Sequence, residues 1–529
     1  MVSLGAHLEV SFQSEWYPVS SYLRAVQSCL CMRQALALLA LLTLVACQSE
    51  PDVAAPERPN ILLICVDDLR PELGCYGAEH VQSPNIDRLA AEGRRFARHY
   101  VQAPTCGASR YGLLTGERPT HNGQLGNGFM MSHTSKRPEG EQPESFVHHF
   151  RRNGYRTVGI GKISHQADGL ARRNPDELEL PYSWDEMLVR YDKWGKGDAP
   201  FFGFADGSNR NTLKYEVPPY EAGAVDDLGY PDGLHAELAL SKLDELAAAE
   251  QPFLLAVGFY KPHLPFTAPQ KYWDLYEREQ IPISPNPDGP TDAARAFLHG
   301  SAEFFNRYKL GKEFGGAGKR LSDAYAREVR HAYLACVSYI DAQVGKLLDR
   351  LEETGLADNT IVVLWGDHGW HLGDHTIWGK HSLFERSLQS PLIIHAPGLP
   401  QAGRATPSLV GSIDLYPTLC ELAGLPVPEA VDGISLVPLL DDPTLPSRRP
   451  VYGYQRNAMS MRTDRWRLLL RKREQGWQAA LSDHDADPHE TRDLAAEHPE
   501  QVAALRSLWN EGTNGLIPTL DAWPIATEE

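Results

Sequence analysis

Three short, unbroken apolar runs constrain the fold of this chain more than any other feature. They are Ile61-Leu62-Leu63-Ile64-Cys65-Val66, Phe253-Leu254-Leu255-Ala256-Val257 and Ile361-Val362-Val363-Leu364-Trp365. A strand with one wet face alternates polar and apolar side chains, whereas a short run without alternation fits a strand covered on both faces, as in a parallel sheet. Each run stops in polar chemistry: Asp67-Asp68 after the first, Lys261-Pro262-His263 after the second, and Gly366-Asp367-His368-Gly369 after the third. Between the runs lie helical patterns. Val329, Tyr333, Cys336, Ile340, Val344, Leu347 and Leu351 form one apolar stripe that stops at Gly355, and Ala236, Leu240, Leu243 and Ala247 form a shorter one. The expected fold is therefore α/β: a mostly parallel sheet flanked by helices, with its ligands at the carboxyl ends of the strands.

At 529 residues the chain exceeds one ordinary hydrophobic core, so a large domain with an appendage is expected. We place a large α/β domain at 59–445. A smaller α+β C-terminal subdomain, with an antiparallel sheet, is expected at 446–529, because the pattern there changes to extended runs at 451–455, 458–462 and 466–471 followed by a helix at 499–509. Residues 185–232 and 280–320 lack a period and read as long loops over the site.

The N-terminus reads as a leader. Arg33 precedes an apolar run at 35–45 that is too short to span a bilayer and closes on Leu44-Val45-Ala46-Cys47. This resembles a bacterial lipobox, which implies a signal peptide at 32–46, diacylation of Cys47, a linker at 47–58, and an extension at 1–31 upstream of the true start at Met32. The expected location is that of an exported lipoprotein, periplasmic or on the cell surface; Gln48 favours the outer membrane. A formal net charge of -18 disfavours nucleic acid or an anionic membrane surface as a partner, leaving the lipid anchor as the only membrane contact. Outside the leader stand Cys65, Cys75, Cys106, Cys336 and Cys420, an odd number spaced neither for zinc nor for a disulfide framework.

Carboxylates at a strand end often cap a helix or face water, and Asp67-Asp68 alone would permit that reading. Asp367 at the end of another strand changes the balance, because carboxylates converging on one sheet edge repel unless a cation lies between them. Hard oxygen donors suit calcium or magnesium, and His368 would either ligate or orient from behind. Cys106-Gly107-Ala108-Ser109-Arg110, followed by Leu114-Thr115-Gly116, is by itself compatible with a buried structural thiol.

Taken in order, Asp67-Asp68-Leu69-Arg70, Gly74-Cys75-Tyr76-Gly77, Ser83-Pro84-Asn85-Ile86-Asp87, the Cys106 motif, Lys261-Pro262-His263-Leu264-Pro265-Phe266, Ser338-Tyr339-Ile340-Asp341 and Gly366-Asp367-His368-Gly369 resemble the type I, formylglycine-dependent sulfatases of the alkaline-phosphatase superfamily. Within that family the likeness is greatest to iduronate 2-sulfatase and its bacterial relatives, and it runs from about Arg58 onward. The resemblance implies a sulfuric ester hydrolase acting on sulfated saccharides. It also implies that a maturase or formylglycine-generating enzyme converts Cys106 to formylglycine. The calcium ligands would be Asp67, Asp68, Cys106, Asp367 and His368, and the reaction would pass through a covalent sulfo-enzyme. By matched position, Arg110 and Lys162 support the nucleophile, His165 is the later base, His263 is the proton donor, and His263 with Lys380 grips sulfate. Trp370 and Lys380 are candidates for contact with a substrate carboxylate, and His381 is a further substrate-binding candidate. Ala108 stands where the family usually has proline, and His381 where the lysosomal enzymes have tyrosine. Two rivals remain open at this stage: a phosphate or phosphonate monoesterase of the same superfamily, and a non-catalytic sulfated-glycan-binding protein.

Overall fold

The computed structural model describes residues 58–511 apart from 120, 121, 136, 172–176, 291, 314, 317 and 475. The expected extension, signal peptide and lipidated Cys47 lie outside the described residues, as do residues 512–529.

The central sheet contains β1 (Asn60–Val66), β2 (Arg94–Tyr100), β3 (Arg156–Gly161), β4 (Glu186–Leu188), β5 (Phe253–Phe259), β6 (Thr360–Gly366), β7 (Leu392–His395) and β8 (Ala405–Gly411). Their spatial order is β8-β2-β7-β6-β1-β5-β3-β4, and every pairing is parallel except the two made by β7. The three apolar runs are thus neighbours at the centre, β6-β1-β5, with all their residues buried. Register then does the decisive work. Val66 is level with both Phe259 and Gly366, so the polar residues that follow each strand emerge at one edge.

Three helices matter most for the site and its support: α1 (Cys106–Thr115), α2 (Pro231–Ala247) and α3 (Asp323–Glu353). Alternate residues of β1 serve opposite faces, as the pleat requires. Leu62, Ile64 and Val66 share a core with α2 and α3, while Ile61, Leu63 and Cys65 share one with α1. Each aliphatic side chain so buried contributes about 1.5–3 kcal/mol, which is why α3 can present its whole predicted stripe to the sheet. Its start is capped by Ser322, whose hydroxyl accepts the Tyr325 N–H at 3.3 Å.

Strand β2 escapes a reading by apolarity, since Arg94-Arg95-Phe96-Ala97-Arg98-His99-Tyr100 looks like a surface segment. Arg94 is nevertheless buried, its guanidinium donating to the carbonyls of Pro400, Gln401, Arg404 and Leu440 at 2.7–2.9 Å. His99 is held between Ser390 O and Ser412 Oγ, each at 3.0 Å. Polar groups tolerate burial when most of the bonds lost to water are replaced, as they are here for all but the Arg94 Nε–H.

The C-terminal sheet is a four-stranded antiparallel meander, β9 (Val451–Gln455), β10 (Ala458–Arg462), β11 (Trp466–Arg473) and β12 (Gly476–Asp483), followed by α4 (Pro499–Glu511). β12 is an addition to the three extended runs anticipated. Trp509 of α4 packs on Tyr452 and Tyr454, in a core that also takes in Ala103, Ala108 and Leu125. Through Ala108 this sheet braces the Cys106 helix. A second brace is Arg467, buried and ion-paired with Glu490 at 2.7 Å and with Glu385. Among the described residues no helix is long and apolar enough to cross a membrane.

Candidate active site

The edge where β1, β5 and β6 end together gathers charged residues from all three strand ends. Asp68 adopts φ +61°, a left-handed conformation costly for a residue with a Cβ. It is held there from two sides: its N–H donates to Asp367 Oδ1 at 2.9 Å, and its carbonyl accepts the Tyr333 hydroxyl of α3 at 2.8 Å. Gly258, near the end of β5, lets the Lys162 backbone approach, since a Cβ there would lie 2.1 Å from Lys162 O.

Cys106 is the first residue of α1, where unpaired N–H groups and the helix dipole favour negative charge. Its Sγ lies 3.2 Å from His368 Nε2 and 3.1 Å from Lys380 Nζ, and Lys380 in turn donates to Asp68 Oδ1 at 2.6 Å. Arg110, one turn further on, reaches Asp367 Oδ2 at 3.0 Å and the carbonyls of Lys162 and Ile163. Its hydrogen bonds therefore go to the carboxylate cluster and the Lys162 loop. Lys162 Nζ is paired with Asp67 Oδ2 and sits 4.3 Å from the Phe201 ring centroid. Three carboxylates thus face three cations in a fully buried cluster.

The cluster is not satisfied by those cations alone. Asp67 Oδ1 and Asp68 Oδ2 are buried without a hydrogen-bond partner. Burial works to raise the Asp67 carboxyl, yet the Lys162 ammonium beside it holds it well below the usual range. Burial, with Asp67 close by, pushes Asp68 well above that range and raises Asp367 too. Asp67, Cys106, Asp367 and His368 can each offer a ligand atom within 4.8 Å of the others. Orphaned carboxylate oxygens beside such a group fit a hard divalent cation such as calcium, with Asp68 as a further donor. His368 Nδ1 lies 3.1 Å from Gly369 O, which leaves Nε2 and its lone pair facing Cys106 Sγ.

The remaining expected residues gather around this centre. His263 has Nδ1 at 2.6 Å from Leu264 O and its ring 4.3 Å from Phe201. Burial and then Lys380 hold its imidazole well below the usual range. His165 is partly exposed, its Nδ1 lacks a partner, and burial together with Lys162 lowers it to about 3. Trp370 is buried, with the Lys380 ammonium 5.3 Å from its ring centroid. His381 adopts φ +63° at the rim, its Nδ1 2.9 Å from Thr105 Oγ1.

Sequence reasoning missed several residues that the fold delivers here, because they sit in segments with no period. Glu303 approaches His263, His299 approaches His381, and Arg210 pairs with Glu303. Glu179 is buried beneath the loop of Lys162 and His165, accepting the Gln166 N–H at 2.8 Å. Burial raises its carboxyl to about 7, against lowering contributions from Ser164, the Gln166 N–H and Lys162; Asp168 opposes them. Because the folded value lies above the unfolded one, the stabilising contribution is full below about pH 4.5 and lost as pH rises through 7. It is on the order of 3 kcal/mol. Glu179→Gln is expected to flatten that part of the pH dependence; thermal unfolding of both proteins from pH 4.5 to 8 checks this, and parallel curves would refute it.

Sequence comparison decides the family. The sulfatase family model matches residues 59–425, the stretch that holds every residue of this centre. The chain belongs to the sulfatase family. This sulfatase is accordingly a sulfuric ester hydrolase, and its residues 373–511 also match the C-terminal model of N-sulphoglucosamine sulphohydrolase. It is 34% identical to mouse (Mus musculus) iduronate 2-sulfatase over 412 residues, covering 71% of this chain and 70% of that one. A sulfatase of Formosa agariphila is 30% identical over 474 residues, 85% of this chain and 86% of the relative. The alkaline-phosphatase-like fold is shared more widely. A phosphonate monoester hydrolase from Silicibacter pomeroyi superposes with a TM-score of 0.69 at 22% identity, covering 87% of this sulfatase and 96% of the other chain.

Proposed function

We propose that this sulfatase removes sulfate from sugar units of polysaccharides, in the manner of an iduronate 2-sulfatase, with Cys106 converted to formylglycine and calcium as its metal. The observation that carries the reading is the buried convergence of Cys106 with Asp67, Asp367, His368 and Lys380 at the N-terminus of α1. Asp67, Asp68, Asp367, His368 and the side chain at 106 would hold the calcium, which would supply Lewis-acid stabilisation of negative charge on the ester. A hydrated formylglycine would supply one hydroxyl to attack sulfur and a second whose deprotonation releases sulfate. Overall, one water is consumed and the ester becomes an alcohol and a sulfate ion.

The chain's own residues divide the remaining work. Lys162, Lys380 and the α1 N-terminus are placed to offset the charge of the sulfate at a buried centre, where such interactions are strong. His263, with Nδ1 committed to Leu264 O, has Nε2 available to hold a proton once an anionic ester is bound beside it, and to pass it to the leaving oxygen. His165, kept neutral by burial and Lys162, is suited to accept a proton in the release step. Arg110 keeps Asp67 and Asp367 in place. A maturase partner, a lipid anchor at Cys47 and export complete the proposal, and they rest on the sequence of the motif and the leader.

A fold shared with phosphonate hydrolases does not choose between sulfur and phosphorus. The protein co-expressed with a maturase is expected to hydrolyse 4-nitrophenyl sulfate with kcat/KM at least about tenfold above that for 4-nitrophenyl phenylphosphonate, some 1.4 kcal/mol of transition-state preference. The reverse order would overturn the sulfatase reading.

A further inference from the structure

Cys106, Lys162, His263 and Lys380 are buried, whereas His165, Arg210, His299, Glu303 and His381 keep partial exposure. These five residues form the rim. They are the partly exposed groups through which a ligand whose sulfate reaches the buried Cys106 could extend to solvent. Two of the five, His299 and Glu303, come from residues 298–306, a segment built to hold its shape. Ser301 there adopts φ +54°; its Oγ accepts the Trp378 N–H at 2.9 Å and its own N–H donates to His299 Nδ1 at 3.0 Å. Phe304 stacks on Trp378 with centroids 5.5 Å apart. The segment is therefore fastened to the short strand that leads into Lys380.

Glu303 ends up shared between two partners. Its Oε1 accepts from Arg210 Nη1 at 2.7 Å, and its Oε2 lies 3.7 Å from His263 Nε2. Arg210 is itself fixed by the Tyr308 hydroxyl at 3.0 Å and by the Phe202 ring, whose centroid is 3.5 Å away. One oxygen of the carboxylate is thus anchored while the other lies next to His263 Nε2, the nitrogen that also has Asp68 Oδ2 at 3.8 Å. The leaving oxygen of an ester must come within hydrogen-bond reach of that nitrogen if His263 protonates it. In a sugar ring the hydroxyl on the adjacent carbon lies within hydrogen-bond reach of the same spot. A carboxylate oxygen accepts from a hydroxyl, repels a second sulfate, and gains nothing from bare carbon.

We propose that Glu303, positioned by Arg210, selects sugar sulfates that carry a free hydroxyl on the carbon next to the sulfated one. The proposal rests on the sugar-sulfatase reading above and adds a rule about its substrates: an ester flanked by a second sulfate is excluded. Specificity of this kind is strong because a hydrogen-bonding group left unpaired in a closed site costs more than a lost apolar contact.

The test uses the full, maturase-activated protein and three probes: a 2-sulfated hexuronate methyl glycoside with its 3-hydroxyl free, its 3-deoxy analogue, and 4-nitrophenyl sulfate. Wild type is expected to favour the hydroxyl-bearing sugar over the deoxy analogue by roughly 10–100-fold in kcat/KM, the range of a hydrogen bond to a charged group. Glu303→Ala is expected to bring that ratio to within about threefold of unity. Glu303→Gln, which keeps an acceptor oxygen, should fall between. Arg210→Met should lower the ratio while raising KM more than it lowers kcat, because it frees Glu303 without removing it. An unchanged ratio in Glu303→Ala would overturn the proposal. So would equal proportional losses on all three probes, which would mean that Glu303 serves His263 or the fold instead. Turnover of 4-nitrophenyl sulfate without turnover of either sugar by wild type would also overturn it while leaving the sulfatase reading standing. No turnover of any of the three sulfate esters by a protein that hydrolyses the 4-nitrophenyl phenylphosphonate of the preceding comparison would bring down both.

Discussion

Cys106→Ala is expected to abolish sulfate-ester hydrolysis, lowering kcat on the order of 10⁴-fold or more, as removal of a nucleophile from a catalytic unit does. The fold should survive. Cys106 opens α1 and contributes one small side chain, so truncation there stays within the ordinary range of about 1–2 kcal/mol. Circular dichroism and thermal unfolding will separate loss of chemistry from loss of structure. Mass spectrometry of the wild-type peptide spanning Cys106 is the companion measurement, with an aldehyde in place of the thiol expected in active protein. Full activity with an intact thiol would sink the formylglycine reading. Unmodified, burial and Asp67 push this thiol up to about 11, against the pull of Lys162 and Lys380, so it is a protonated, weak nucleophile at neutral pH. Ala108 is no obstacle to the geometry. It is the third residue of α1, where a backbone N–H has no intrahelical acceptor, so alanine and proline fit the same first turn. It is also fully buried against the C-terminal sheet.

Calcium added to metal-free protein is expected to raise its unfolding temperature, and Asp367→Asn to eliminate that rise along with most of the activity. Binding to the native state alone adds about 2.7 kcal/mol at a free calcium concentration a hundredfold above Kd. Asp367 is the residue to change, because it organises the centre: Oδ1 accepts the Asp68 N–H and Oδ2 accepts from Arg110 Nε. Asparagine keeps the size and one acceptor while removing the charge. Differential scanning fluorimetry with and without chelator reads the outcome independently of turnover. An equal calcium shift in wild type and Asp367→Asn would show that the ion binds elsewhere.

Much of this centre could be read before the fold was known, for a physical reason. β1, β5 and β6 are buried on both faces, so their sequences are apolar without interruption, and the points where they stop are visible as Asp67-Asp68, Lys261 and Asp367-His368. Helix α3 is likewise legible, because one stripe must be apolar for the helix to pack. Strand β2 was illegible because its burial is secured by hydrogen bonds of Arg94 and His99, which leave no apolar signature. Resemblance supplied the roles of Lys162, His165 and Lys380, which no period or propensity distinguishes from surface residues.

What the sequence by itself determined is the fold class, the strands that carry the carboxylates, and the sulfatase motif beginning at Cys106. Local patterning suffices there, since burial and periodicity are written into adjacent residues. Only the tertiary structure decided that Val66, Phe259 and Gly366 end level, that Arg110 binds carboxylates, and that Glu303 and Arg210 reach the rim beside His263. Those facts depend on strand register and on the path of aperiodic loops, which are set by packing between residues far apart in the chain.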